Sequence, residues 1–217
     1  MARAYPTAED LKRFLAAQNL VTVPPDGDAA LLDYDLAIEE AIREMELRCG
    51  NRRFVPVTAT RRFNPPVNRV LDLEDDLLSV TSFTWQPEGS PAETLVEGED
   101  YVLGPYNAAG RGQPYQYAEI NRRYLSPLGF ANRRALRITG SWGYGTDVPA
   151  PIWNGILRLG LLQLLPEISL LVTGGMIGWT EANVTEQYGV KPFETIQTRL
   201  ETRVGKIVAL YRRKTFV

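Results

Sequence analysis

Apolar positions recur at two periods along this chain, and the changeovers divide it into parts. Leu11, Phe14 and Leu15 form a stripe after Thr7, with Asp10 three residues on in a capping-box position, which predicts a first helix. Val23-Pro24-Pro25-Asp26-Gly27 breaks the chain. From about Asp28 to Cys49, steps of three and four return through Leu32, Leu36, Ile38, Ile42 and Met45. Glu39, Glu40, Arg43, Glu44 and Arg48 take the other face, and Gly50 stands at the expected exit. From Asn51 to Tyr144 the period drops to two. Val55/Val57/Ala59, Val70/Leu71/Leu73, Val80/Phe83/Trp85, Tyr101/Val102/Leu103, Tyr117/Glu119/Ile120 and Leu136/Ile138 are short strand candidates, separated by proline and glycine clusters.

The helical period resumes at Pro151 and runs to about Leu165, almost wholly apolar. A helix apolar on all sides must be covered on all sides, by its own chain or by a neighbouring subunit. That makes Ile152, Ile156 and Leu159, with Arg158 among them, candidate subunit contacts. Gly174-Gly175 opens an expected irregular stretch to about Pro192. A final helix then carries Phe193, Ile196, Leu200, Val204, Ile207, Leu210 and Tyr211 on one face. The chain ends on a basic and aromatic tip, Tyr211-Arg212-Arg213-Lys214-Thr215-Phe216-Val217. The predicted fold is α+β: a helical body of about four helices, interrupted by a small antiparallel sheet or barrel. The expected divisions are 1–50, 51–147 and 148–217.

The return from sheet to helix is made by Leu136 to Gly145 and Val148-Pro149-Ala150-Pro151. Gly140 and Gly143 suit a sharp reversal, Trp142 and Tyr144 supply apolar anchors, and Pro149 and Pro151 suit a helix start. These six residues are the expected hinge and anchor between the β part and the helices.

Composition removes most catalytic chemistry. Of 217 residues none is histidine, so no Ser-His or Cys-His pair is possible, and no phosphate-cradling glycine loop occurs. Neither a catalytic constellation nor a cofactor or metal site is predicted. Asp72, Glu74, Asp75 and Asp76 have the ligand chemistry of a hard cation, the remote basis for a metal-dependent hydrolase or nuclease. They read more simply as a solvated turn between the strands around Leu71 and Val80. Cys49 alone forms no intrachain disulfide, and a net charge of −2 steers the chain toward neither nucleic acid nor an anionic membrane. Arg158, Pro166 and Glu167 interrupt the apolar run after Ile152, against a membrane span. Arginines outnumber lysines 20 to 4, a skew that suits bidentate contacts at interfaces. A β-rich binding module is the other reading that the residues leave open.

Several stretches in order resemble the head–tail connector (adaptor) proteins of tailed bacteriophages and related gene-transfer particles. They are the exit Cys49-Gly50-Asn51-Arg52-Arg53-Phe54, the strand pair Asp72-Leu73-Glu74-Asp75-Asp76-Leu77-Leu78-Ser79-Val80-Thr81, and Tyr101-Val102-Leu103-Gly104-Pro105-Tyr106-Asn107. Ile138-Thr139-Gly140-Ser141-Trp142-Gly143-Tyr144 with Val148-Pro149 completes the set. The resemblance implies a non-enzymatic protein of the virion neck, made in the host cytoplasm and assembled as a homo-oligomeric ring, usually of twelve copies. Such a ring sits beneath the portal protein, extends the channel through which double-stranded DNA passes without sequence-specific binding, and docks the next neck or tail protein. On that reading Leu210, Tyr211, Arg212, Arg213, Lys214, Phe216 and Val217 would dock on the portal. No cofactor and no membrane is implied.

Overall fold

A computed structural model describes residues 3–17, 32–125, 134–173, 179–181, 184–186 and 190–213. The chain divides into two compact units. The described residues between 51 and 148, with Arg3, make one; those between 4 and 50 and between 149 and 213 make the other.

In the helical unit, α1 (Ala8–Ala17) begins on the predicted capping box. The Thr7 N–H donates to Asp10 Oδ2 at 2.9 Å, and the Asp10 N–H donates back to Thr7 Oγ1 at 3.3 Å. Helix α2 (Tyr34–Arg48) starts later than the periodicity suggests, because Asp33 caps it by accepting from the Leu36 N–H at 2.9 Å. The proline-glycine break at 23–27 lies outside the described residues. Gly50, at φ +83°, turns the chain out of α2.

Helix α3 (Ala150–Thr173) is longer than expected, since it runs through Pro166. An interior proline costs about 3 kcal/mol. Burying Leu164, Leu165 and Ile168 around it returns roughly 1.5–3 kcal/mol each, enough to hold the helix together. The expected irregular stretch instead contains a small hairpin, β7 (Trp179–Glu181) with β8 (Val184–Glu186), and the first turn of α4 (Val190–Tyr211). Helix α3 packs against α1, α2 and α4. Leu11, Leu15, Ile38, Ala41, Met45, Ile156, Leu200 and Val204 are buried in this unit. Among the described residues, no helix is long and apolar enough to cross a membrane.

The other unit is an antiparallel sheet of β1 (Val57–Phe63), β2 (Val70–Trp85), β3 (Glu93–Thr94), β4 (Tyr101–Gly104), β5 (Tyr115–Ile120) and β6 (Leu136–Trp142). Its order is β1-β6-β2-β5-β4, with β3 beside the end of β2. Alternation along β6 is complete, with Leu136, Ile138, Gly140 and Trp142 buried and the residues between them half-buried. These residues pack with Phe63, Leu71, Leu73, Leu77, Phe83, Tyr101, Leu103 and Ile120 in one core.

The acidic run is the main departure from the sequence reading. Asp72 to Asp76 is not a solvated turn between two strands but a bulge inside one 16-residue strand. The Asp72 carboxylate accepts from the Glu74 N–H at 2.9 Å, and Glu74 takes φ +59°. That local bond lets β2 absorb extra residues without reversing.

Candidate functional site

Three of the residues predicted to join sheet to helix, Trp142, Gly143 and Tyr144, are bonded where the chain enters and leaves the β unit. Trp142 is 1 % exposed, and its Nε1–H donates to the Ala59 carbonyl at 2.9 Å. Gly143 has φ +150°, and its N–H donates to the Asp76 carbonyl at 2.8 Å. The Tyr144 N–H donates to the Arg53 carbonyl at 2.8 Å, and its ring lies 5.7 Å from Phe54. The strand leaving the sheet is thereby tied to the segment entering it. Beyond, the Val148 N–H donates to the Arg3 carbonyl at 2.9 Å. Pro149 and Pro151 stand at the start of α3, where the Pro149 carbonyl accepts from the Trp153 N–H at 2.9 Å. Gly140 lies apart from this knot, in mid-strand.

Beneath Tyr144 is an ion pair that the sequence did not disclose. Arg52 Nε lies 2.6 Å from Asp76 Oδ2 and Nη2 lies 3.3 Å from Oδ1, with both side chains at or below 5 % exposure. The guanidinium carbon sits 4.8 Å from the centre of the Tyr144 ring. Asp75 pairs with Arg61, whose guanidinium lies 4.4 Å over Trp142. Two of the four acids once available to a cation are thus engaged by arginines. Among the described residues, no group of three or more acidic, cysteine or histidine side chains is placed to hold a metal ion.

A second charged knot closes another part of the sheet unit. Arg123 Nη2 lies 2.6 Å from Asp100 and 3.3 Å from Glu93, and its guanidinium covers the Tyr124 ring at 4.6 Å. The Tyr124 hydroxyl donates to Glu93 at 3.0 Å. Burial, then that hydrogen bond to Glu93, pushes its ionisation up to about 12, against an ordinary value of 10.0. A raised pKa on an acid means the folded state holds the proton more tightly than the unfolded one. This contribution to stability is complete below pH 10 and is lost as pH climbs through 12. An ultraviolet titration near 295 nm should include a step near pH 12 from Tyr124, and Tyr124→Phe should remove that step. A titration in which Tyr124 ionises with the exposed tyrosines would refute the assignment.

In the helical unit, Ile152, Ile156 and Leu159 are enclosed by the chain itself, at 0, 0 and 1 % exposure. As folded they offer no surface to a neighbouring subunit. The all-round apolar helix is explained by α1, α2 and α4 covering it. Arg158 is half-buried, with Nη1 donating to the Asn154 carbonyl at 3.2 Å, and burial together with Arg203 lowers its pKa. At the tip, Leu210 is 78 % exposed and Tyr211 ends α4. The Arg213 N–H donates to the Cys49 carbonyl at 3.0 Å, pinning the start of the tip to the exit of α2. Lys214, Phe216 and Val217 lie outside the described residues.

No protein-family model matches this chain, and no curated protein is recognisably related to it in sequence. Its fold is similar to that of a chain in the neck of an empty GTA particle computed with C6 symmetry. That chain is 12 % identical, with a TM-score of 0.51 over 100 % of this chain and 96 % of the other. A chain from the virion of a native gene transfer agent particle is 16 % identical, with a TM-score of 0.50 over 99 % of this chain and 94 % of that one. Both likenesses are of fold, and both extend over essentially the whole length of each partner.

Proposed function

We propose that this protein is a structural head–tail adaptor in the neck of a phage-like particle. It would form a ring beneath the portal, of twelve copies as the resemblance to such adaptors implies, extending the DNA channel and receiving the next neck or tail protein. The observation that carries the reading is end-to-end likeness of fold to a neck chain, with neither partner leaving a domain unmatched. The ordered motifs of the sequence support it independently. So does the use of the charged clusters, which tie Arg52 to β2 and Arg123 to Glu93 and Asp100 within the sheet unit.

In this reading Trp142, Gly143 and Tyr144 hold the two crossings of the β unit together, with Gly140 in the sheet and Pro149 and Pro151 opening α3. The tip from Tyr211 to Val217 is the portal-docking element, its Tyr, Arg and Phe being residue types that anchor interfaces. Electron microscopy of the protein mixed with portal particles should show an added ring with a central hole. Removing Tyr211–Val217 should reduce co-sedimentation with the portal at least tenfold. Undiminished binding would remove the tip from the interface; the absence of any ring would overturn the adaptor reading itself.

A further inference from the structure

The helical unit bears two exposed stripes of opposite charge. On α2, Leu36, Glu39, Glu40, Arg43 and Leu47 face away from the buried Ala41 and Met45, with Asp35 beside them. Among the described residues none of the four charged side chains Asp35, Glu39, Glu40 and Arg43 enters an ion pair. Three acids among Asp35, Glu39 and Glu40 against Arg43 leave this face acidic. On α4, Arg199, Arg203, Lys206 and Leu210 recur at steps of four, three and four, so they share one flank of the helix. Glu194 and Glu201 fall on its far side at 3.6 residues per turn. Arg158 of α3 lies near enough to Arg203 for the two guanidiniums to repel. None of the four cations meets a carboxylate among the described residues.

Like charges gathered without a counter-charge oppose folding, so a stripe of them fits a surface completed by something else. Both stripes also carry large bare leucines: Leu36 at 51 %, Leu47 at 67 % and Leu210 at 78 % exposure. Each stripe covers 12 residues, about 16 Å of helix from first to last. We propose that the acidic face of α2 in one copy docks on the basic flank of α4 in the next, head to tail. A contact between two different surfaces repeats from copy to copy and closes into a ring when the rotation permits. The inference rests on the ring reading and names the surfaces that would build it. A nucleic-acid backbone is the poorer occupant, because phosphates offer the leucines nothing and the chain carries a net charge of −2.

Charge reversal on the full-length protein tests this. Arg203→Glu with Lys206→Glu makes both stripes acidic; Glu39→Lys with Glu40→Lys makes both basic. Sedimentation and negative-stain imaging, with and without portal particles, should show each variant losing at least tenfold in ring formation. An equimolar mixture should recover rings, because alternating copies restore opposite charge at every contact. Wild-type rings should weaken as salt rises. Variants that assemble like wild type, or a mixture that fails to recover, overturn this contact and leave the ring reading standing. Wild-type protein that forms no ring under either condition removes both. Loss of binding to a DNA duplex, with ring formation intact, would assign the basic flank to nucleic acid instead.

Discussion

Gly140→Ala is expected to destabilise the β unit by about 3 kcal/mol, the upper range for forcing extra atoms into a packed interior. Gly140 lies in β6, paired with Ala59 on one side and Val80 on the other. The register of β2 slips on either side of that point, between Leu77 and Ser79 and again between Val80 and Ser82. The bulges bring the Ser79 carbonyl against Gly140, so a Cβ there would fall well inside 3.0 Å of its oxygen, with Leu77 Cδ1 at 3.2 Å. The obstacle is backbone in a doubly paired strand, which cannot swing aside as a side chain could. The melting temperature should drop by about 12–24 °C, taking roughly 4–8 °C per kcal/mol for a unit of this size. Gly205→Ala is the control. A Cβ there meets nothing within 4 Å, and removing a helical glycine should be neutral or gain up to about 1 kcal/mol. An unchanged midpoint for Gly140→Ala would show that the bulge relaxes and is not a fixed feature of the sheet.

Arg52→Met should cost about 3–5 kcal/mol, because it takes the guanidinium away from the buried Asp76 carboxylate. The loss should be read as a shift of the urea midpoint at constant slope. The double variant Arg52→Met/Asp76→Leu separates two explanations. If the penalty comes from the buried carboxylate, removing it recovers most of the stability. If instead the guanidinium matters chiefly as packing under Tyr144, the double variant stays as weak as the single one. Recovery in the double variant would mark the pair as a device for joining residue 52 to β2, with little net stabilisation of its own.

Those two sites differ in how far the sequence could reveal them. Gly140 sits in a clean alternating strand, and an isolated glycine there signals close backbone approach, although which backbone approaches is not written locally. The Arg52–Asp76 pair is less accessible still. Four acids within five residues look like solvated chain, and only a residue 24 positions earlier makes one of them interior. Local patterns read well: the Thr7–Asp10 box, the period-two alternation of β6, and the stripe of α2 at Ile38 and Met45 reappear in the structure, whereas Leu36, expected in that stripe, is exposed. Failures came where tertiary packing overrode a local signal. Pro166 reads as a stop, yet the leucines flanking it are buried deeply enough to carry the helix past it. Ile152, Ile156 and Leu159 read as surplus apolar surface because periodicity cannot say that three other helices share the covering of α3.

The order of synthesis gives the discontinuous helical unit a further consequence. Residues 51–148 form one uninterrupted stretch, so the sheet can close as soon as β6 has left the ribosome and met β1. Helix α2 has only the short α1 as an early partner. Ala37, Ile38, Ala41 and Met45 must wait for α3, which begins a hundred residues later, and α4 is made later again. During that interval an amphipathic helix stands beside a finished β part with the surface meant for α3 uncovered. A nascent chain stalled just after residue 148 should therefore be protease-resistant in its β part and cleaved in α2, and the same chain should recruit a holdase chaperone through that helix.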